Sequence, residues 1–236
     1  MIFASSDKAV NPTNVMGTSK LMGERLMTAA NSNSRSNDSI FVSTRFGNVL
    51  GSNGSFVPIF NKQIIDGGPI TITHKEMTRF IMSIQEAVSL LIESSLIAKG
   101  GEIFVTKMPV LKIVDLAEAM CNLIIKNDKN KIGISFIGTK PGEKLYEELM
   151  SEEERRRSIE VEKYFIILPA FRGFYKDIDY SYENIISKEL DKVYNSSIEE
   201  KLSVPEIERI LNKYDILNKS NYSENKRYWP GETNEN

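Results

Sequence analysis

The sequence predicts an α/β fold with a largely parallel sheet. Short apolar runs, such as "MIFASS" and "EIFVT", alternate along the chain with longer segments whose apolar residues recur at helical spacing. Glycine, proline and small polar residues fall at the junctions, as strand–helix alternation requires. No repeat stands at a fixed period.

Residues 1–6 read as a buried parallel strand whose carboxyl end delivers small polar side chains. The turn "NPTN", with Pro12, separates it from "VMGTSKLMGERLMTAANS". Apolar residues there at 15, 16, 21, 22, 26 and 27 set a helical rhythm and put Met16 and Lys20 on one face. "SIFVSTRFGNVLG" predicts a second buried strand running into a glycine-containing loop, and "SFVPIFNKQIIDGG" a helix stopped by Gly67 and Gly68. The alternation continues through strand "PITIT", helix "SIQEAVSLLIESSLIAKGG", strand "EIFVT", helix "KIVDLAEAMCNLIIK" and strand "IGISFIG". From about residue 151 the texture changes, and the charge run "SEEERRRSIE" reads as a solvated surface. "PEIERILNKYDIL" reads as a short amphipathic helix, with Pro205 at its start and Ile207, Ile210 and Leu211 on one face. The tail from 218, rich in Asn, Ser and Glu, reads as flexible, and the single tryptophan in its "RYWPGE" as a packing anchor.

Bulk properties narrow the function. With 236 residues, 41% of them hydrophobic, the chain can bury a substantial core. Thirty Lys and Arg stand against 32 Asp and Glu, so the net charge of −2 gives no global attraction to nucleic acid or to anionic lipid. Any phosphate site must be local. Cys121 is the one cysteine; it excludes an internal disulfide or a thiolate metal cluster, lies in an apolar run as a buried structural thiol, and fits a reducing compartment. No apolar run reaches the ~20 residues of a membrane span. The chain reads as cytoplasmic, with no membrane contact of its own. His74, the one histidine, sits in what reads as an exposed turn, with no second His or Cys to make a metal site, and takes no role.

The chemistry concentrates in "SSDKAVNPTNVMGTSK", where Ser6, Asp7 and Lys8 stand at a strand tip and Lys20 follows Met16 by one helical turn. This arrangement resembles the extended short-chain dehydrogenase/reductases, whose motif is Ser or Thr at the strand tip and Tyr-x-x-x-Lys on the next helix. Met16 takes the Tyr position here. The ordered blocks "RFGNVLGSNGSFVPIF", "GGPITITHKEMTRFIMS", "GGEIFV" and "GTKPGEKLYEEL" are similar to those of the nucleotide-sugar 4,6-dehydratases acting on UDP-N-acetylglucosamine, in the branch that serves capsule and O-antigen polysaccharides. The resemblance covers residues 1 to about 150 and implies the carboxyl-terminal part of a Rossmann-like doubly wound sheet with a smaller α/β substrate-binding region.

It also implies roles. Oxidation at C4 of the sugar by NADP or NAD makes the C5 proton acidic, after which a base takes that proton and an acid helps the C6 hydroxyl leave. Lys8 is then the base at C5, Asp7 the acid at C6, Ser6 a hydrogen bond to the C4 oxygen, and Lys20 the holder of the nicotinamide ribose. A thioether relays no proton, so Met16 leaves the C4 hydroxyl proton to Asp7 or to a water held by Ser6 and Lys20. Arg79 and Lys140 are expected on the pyrophosphate, Glu143 on a ribose hydroxyl, and Asn48, Ser55, Thr71 and Thr73 on the nucleotide. The family usually carries Arg at position 140; Lys lacks its bidentate fork.

The glycine-rich turn that grips a dinucleotide after the first strand of such a sheet does not occur in this sequence. The expected organisation is therefore residues 1–150 as the carboxyl-terminal part of the catalytic domain, 151–217 as an extension of short strands and helix, and 218–236 as a tail. The expectation is of an enzyme incomplete as this chain, weak in dinucleotide binding and exposing a strand edge and an apolar face. It would pair with a missing amino-terminal half or form a homo-oligomer. A non-catalytic nucleotide-sugar-binding or partner module, or a nucleotide-sugar 4-epimerase, are the alternatives. The adjacent Asp7 and Lys8 favour the dehydratase, because an epimerase has no work at C5 and C6.

Overall fold

The computed structural model describes residues 1–33, 39–52, 54–125, 132–170 and 178–218. The expectations for the tail and for "RYWPGE" fall outside these residues, apart from Asn218.

The main sheet starts from the three apolar runs that the sequence marks. Strand β1 (Ile2–Ser6) pairs in parallel with β2 (Val42–Phe46), Ile2 opposite Val42 and Ser6 opposite Phe46, and β2 pairs in parallel with β6 (Ile103–Thr106). Helix α1 (Val15–Asn33) connects the first two and packs on both. Helix α3 (Ile84–Ile97), started by a Ser83/Glu86 capping box, packs on β2 and β6. Beyond β6 the direction reverses. Strands β9 (Ser158–Val161), β10 (Tyr164–Ile167) and β11 (Ile185–Ser187) extend the sheet antiparallel, in the order β1-β2-β6-β10-β9-β11.

Two smaller sheets hang beside it. Strand β5 (Thr78–Met82) lies between β3 (Asn48–Val49) and β7 (Val110–Lys112), and β4 (Ile70–Ile72) pairs with β8 (Ile134–Phe136). Helices α2 (Phe56–Ile65), α4 (Ile113–Ile124) and α6 (Val204–Lys213) close over them in one apolar cluster that includes Phe60, Leu116, Met120, Ile207 and Leu211. Each such side chain taken fully from water contributes roughly 1.5–3 kcal/mol. The amphipathic reading of α6 thus holds: Ile207 and Leu211 are buried and Ile210 is partly so. Residues after 150 share the core of those before it. Cys121 is half-buried against this cluster rather than enclosed, and His74 is half-buried, its Nδ1 accepting from the Glu76 amide at 3.1 Å.

The charge run at 151–160 is corrected by the structure. Its Glu152 and Glu153 are exposed on α5 (Glu152–Arg155), but Glu154 is 2% exposed and Ser158 and Ile159 are buried in β9. The reason lies far off in sequence. Arg45, wholly enclosed on β2, needs counter-charges, and it finds them in Glu154 and in Glu24 of α1, at 2.7 and 2.6 Å.

Among the described residues β1 has a strand on one side only. Val15, Met16, Met22 and Leu26 of α1 and Ile84, Val88, Ile92 and Leu96 of α3 are exposed.

Candidate functional site

The site is built where β1 ends. Ser6 leaves the strand in extended conformation and caps a short 3-10 turn, Asp7–Ala9, its hydroxyl accepting from the Lys8 amide. The cap turns the Asp7 side chain inward, to 1% exposure, while Lys8 stays half-exposed above it. Asp7 Oδ1 accepts from both the amide and the ammonium of Lys8, at 2.9 and 3.0 Å. Asp7 Oδ2 is buried and has no hydrogen-bond partner. Helix α1 begins at Val15, after the link 10–14, with Asn14 Oδ1 accepting from the Gly17 amide. Gly17 is required: a Cβ there would stand 2.3 Å from the Lys8 carbonyl oxygen.

The loop 140–150 closes over this turn. Thr13 Oγ1 donates to the Gly142 carbonyl at 2.9 Å, Lys144 Nζ to the Val10 carbonyl at 2.6 Å, and Asn11 Nδ2 to Glu148 Oε2 at 3.0 Å. Beneath it, Arg79 at the start of β5 donates to the carbonyls of Thr78, Leu145 and Lys144. Between turn, loop and β5 opens a cleft of about 350 Å³, lined among others by Lys8, Asn48, Arg79, Lys140, Glu143 and Glu147. A cavity of about 400 Å³ lies elsewhere, between the second half of α1 and the Pro169 region, and has neither the Asp7–Lys8 pair nor the cluster of lysines. The smaller cleft is therefore the candidate site.

The cleft brings together much of what the sequence singles out. Lys8, Asn48, Arg79, Lys140 and Glu143 line it, with Asp7 under Lys8. Asn48 Oδ1 and Ser55 Oγ are buried without partners; both border a narrow pocket that also touches Arg79. Lys140 Nζ has no partner among the described residues, and its amide donates to Glu143 Oε2. The donors of Arg79 are turned largely to the loop carbonyls, so this guanidinium holds the loop in place as well as lining the cleft.

Other residues stand apart. Met16 is 62% exposed and does not line the cleft. Lys20 Nζ donates to the Ala4 carbonyl at 2.9 Å and lies over the Phe3 ring. Thr71 and Thr73 do not line it either; Thr71 binds Gln63, and the Thr73 hydroxyl reaches the sulfur of Met77.

Glu147 is the residue that sequence reasoning passes over. It is 4% exposed, and burial, followed by the charge of Asp7, pushes its carboxyl up to about 7 against the pull of Arg79, Lys8 and Lys144. In "KLYEEL" it is one of two adjacent glutamates, and only the fold separates them: Glu148 faces Asn11 near the surface, Glu147 points inward. Ser196 fixes it from the far side, its hydroxyl accepting from the Glu147 amide and its amide donating to the Glu147 carbonyl, both at 2.9 Å. Among the described residues no cluster of three or more His, Cys, Asp and Glu could hold a metal ion, and no helix is long and apolar enough to cross a membrane.

Comparison with known proteins places the chain among relatives. The family model described as "Polysaccharide biosynthesis protein" matches residues 1–169. An "Uncharacterized membrane protein" of Methanocaldococcus jannaschii is 44% identical over 92% of this chain and 62% of its own length. The UDP-N-acetylglucosamine 4,6-dehydratase (inverting) of Campylobacter jejuni is 40% identical over 76% of this chain and 52% of its own. Among solved structures, Pen from Bacillus thuringiensis superposes with a TM-score of 0.81 at 38% identity, over 92% of this chain and 63% of that one. The chain spans less than two thirds of the length of each. It belongs to the polysaccharide biosynthesis protein family.

Proposed function

We propose that this chain carries the acid/base and nucleotide-binding machinery of a UDP-N-acetylglucosamine 4,6-dehydratase, working on NADP or NAD in the synthesis of surface polysaccharide. The observation that supports this reading is the Asp7–Lys8 contact: an enclosed carboxyl and a half-exposed amine, 3.0 Å apart, at the wall of a cleft that also presents Lys140 and Arg79. Dehydration needs one acid and one base on the same sugar, and the proton on this contact serves both. Its transfer from Lys8 Nζ to Asp7 leaves a free amine and a neutral acid. The amine then takes the proton from C5; Asp7 gives its proton to the C6 hydroxyl, which leaves as water. Lys8 then gives a proton back to C5, and the proton released from the C4 hydroxyl on its oxidation restores the ion pair seen here. Lys140, with its ammonium unpartnered among the described residues, meets the pyrophosphate, and Glu143 accepts from a ribose hydroxyl.

The residues present fit the nicotinamide end of a dinucleotide. Lys20 spends a donor on Ala4 and keeps others for a ribose hydroxyl, at the edge strand whose tip carries Ser6. Bound there, the dinucleotide would supply hydride acceptance at C4 and return at C6. Met16, exposed and without a titrating group, moves no proton.

The test is incubation of the complete reading frame with UDP-N-acetylglucosamine and NADP or NAD in deuterated water. Label is expected at C5 with loss of the C6 hydroxyl, and Lys8→Met is expected to slow both by about 100-fold or more. Turnover at C4 without label at C5 would identify an epimerase. Binding of the sugar nucleotide with no exchange at all would identify a non-catalytic module.

A further inference from the structure

Glu147 is an acid that the proposed reaction does not use. Its Oε2 is buried without a hydrogen-bond partner, as is Oδ2 of Asp7. The cations around it are committed elsewhere: Lys8 Nζ to Asp7, Lys144 Nζ to the Val10 carbonyl at 2.6 Å, and Arg79 to the Thr78 and Lys144 carbonyls at 2.7 and 2.8 Å. Only Arg79 Nε faces it, 3.5 Å from Oε1, too far for a strong charge-assisted bond. The two-sided clamp from Ser196 fixes its backbone and opposes any swing into solvent. An ionised carboxylate here would be a buried charge held only by the long contact to Arg79 Nε.

We propose, resting on the nucleotide-sugar reading of this cleft, that Glu147 is a positioning residue that works as a neutral acid. While it holds its proton, Asp7 is the lone anion beside Lys8. A second negative charge would hold the proton on Lys8 and oppose entry of the pyrophosphate.

The sign follows from the environment. Burial and the charge of Asp7 raise the Glu147 carboxyl from 4.5 to about 7, so the folded protein favours its protonated form. An anionic ligand favours that form further; binding takes up a proton, and affinity falls as pH rises through about 7. The charged groups facing Glu147 are Asp7 and Lys8 from the 3-10 turn, Arg79 from β5, and Lys144 from its own loop, with Lys140 and Glu143 farther along the same cleft.

The experiment is calorimetric titration of UDP-N-acetylglucosamine into the wild-type chain and E147Q, on both sides of neutral pH and in buffers of different ionisation enthalpy. Wild type is expected to lose affinity with rising pH, by up to about tenfold per unit, with proton uptake. E147Q is expected to keep its acid-side affinity throughout. An equal slope in E147Q, or no slope in wild type, overturns the proposal. Carboxyl carbon NMR of the unliganded chain, wild type minus E147Q, separates this from failure of the ligand reading. A Glu147 midpoint near neutrality supports the neutral acid even if no sugar nucleotide binds, and a midpoint below about 5 overturns it whatever binds.

Discussion

Replacing Arg45 by methionine is expected to lower the unfolding free energy by about 3–5 kcal/mol, read as a shift in urea midpoint at neutral pH. The guanidinium has five N–H donors. Nε and Nη2 hold the two oxygens of Glu24 at 2.8 and 2.6 Å, Nη2 and Nη1 hold those of Glu154 at 2.7 and 2.8 Å, and Nη1 also reaches the Leu149 carbonyl at 3.0 Å. Burial alone would lower the affinity of Arg45 for its proton; the two carboxylates more than reverse this and raise it. Methionine would fill the space and leave two enclosed carboxylates without a counter-charge. Lysine keeps the charge without the fork and is expected to recover only part of the loss. A change below about 1 kcal/mol in Arg45→Met would mean the triad contributes no net stability.

The triad also sets an acid limb. Burial would raise the Glu154 carboxyl, but the hydrogen bond and charge of Arg45 bring it down from 4.5 to about 2. A lowered carboxyl contributes stability that is complete above 4.5 and is lost as pH falls through about 2. Wild type should therefore weaken across that window, and Arg45→Met should lack this component.

Gly17→Ala is expected to damage the site more than the fold. The added methyl would lie 2.3 Å from the Lys8 carbonyl oxygen and 3.0 Å from Pro12 Cβ, and a backbone oxygen cannot rotate aside. Helix α1 must then back away from the turn that presents Asp7 and Lys8, at about 1–3 kcal/mol of stability. Displacement of the pair by a fraction of an ångström or more is expected to slow exchange at C5 by up to about 100-fold. Gly23→Ala is the comparison, because its methyl meets the ring of Phe3, a side chain that can turn. If Gly23→Ala slows C5 exchange as much as Gly17→Ala at equal stability, the contact with Lys8 is not what matters.

These two positions show what the sequence made legible. Strand β1, expected to be buried, carries the same apolar pattern as β2 and β6 but buries only Ser5, since it has a strand on one side only among the described residues. Strands β2 and β6 announce themselves because they are buried along nearly their whole length, and α3 because its capping box is written as Ser-x-x-Glu at 83–86. Strand β9 does not. Its residues follow "EEERRR", and the burial of Glu154 makes sense only with Arg45, 109 positions away. The antiparallel half of the sheet was hidden for the same reason, since its partners are set by contacts and not by pattern. In the cleft, Asp7, Lys8, Arg79, Lys140 and Glu143 could be named because they fall in blocks that resemble those of the nucleotide-sugar dehydratases. Glu147 could not, because nothing in "YEEL" distinguishes the glutamate that faces inward from the one that faces Asn11.

The hold of Ser196 on Glu147 bears on how such a protein can be divided. Thr78 of β5 shares a 2.8 Å hydroxyl contact with the same serine, so one small residue, well outside the sequence blocks that line the cleft, ties the wall of the cleft to Glu147. Grafts and truncations that keep every motif yet stop near 150 would retain Asp7, Lys8 and the loop and lose the brace. Chimeras between relatives should exchange the region around 196 together with the loop it supports.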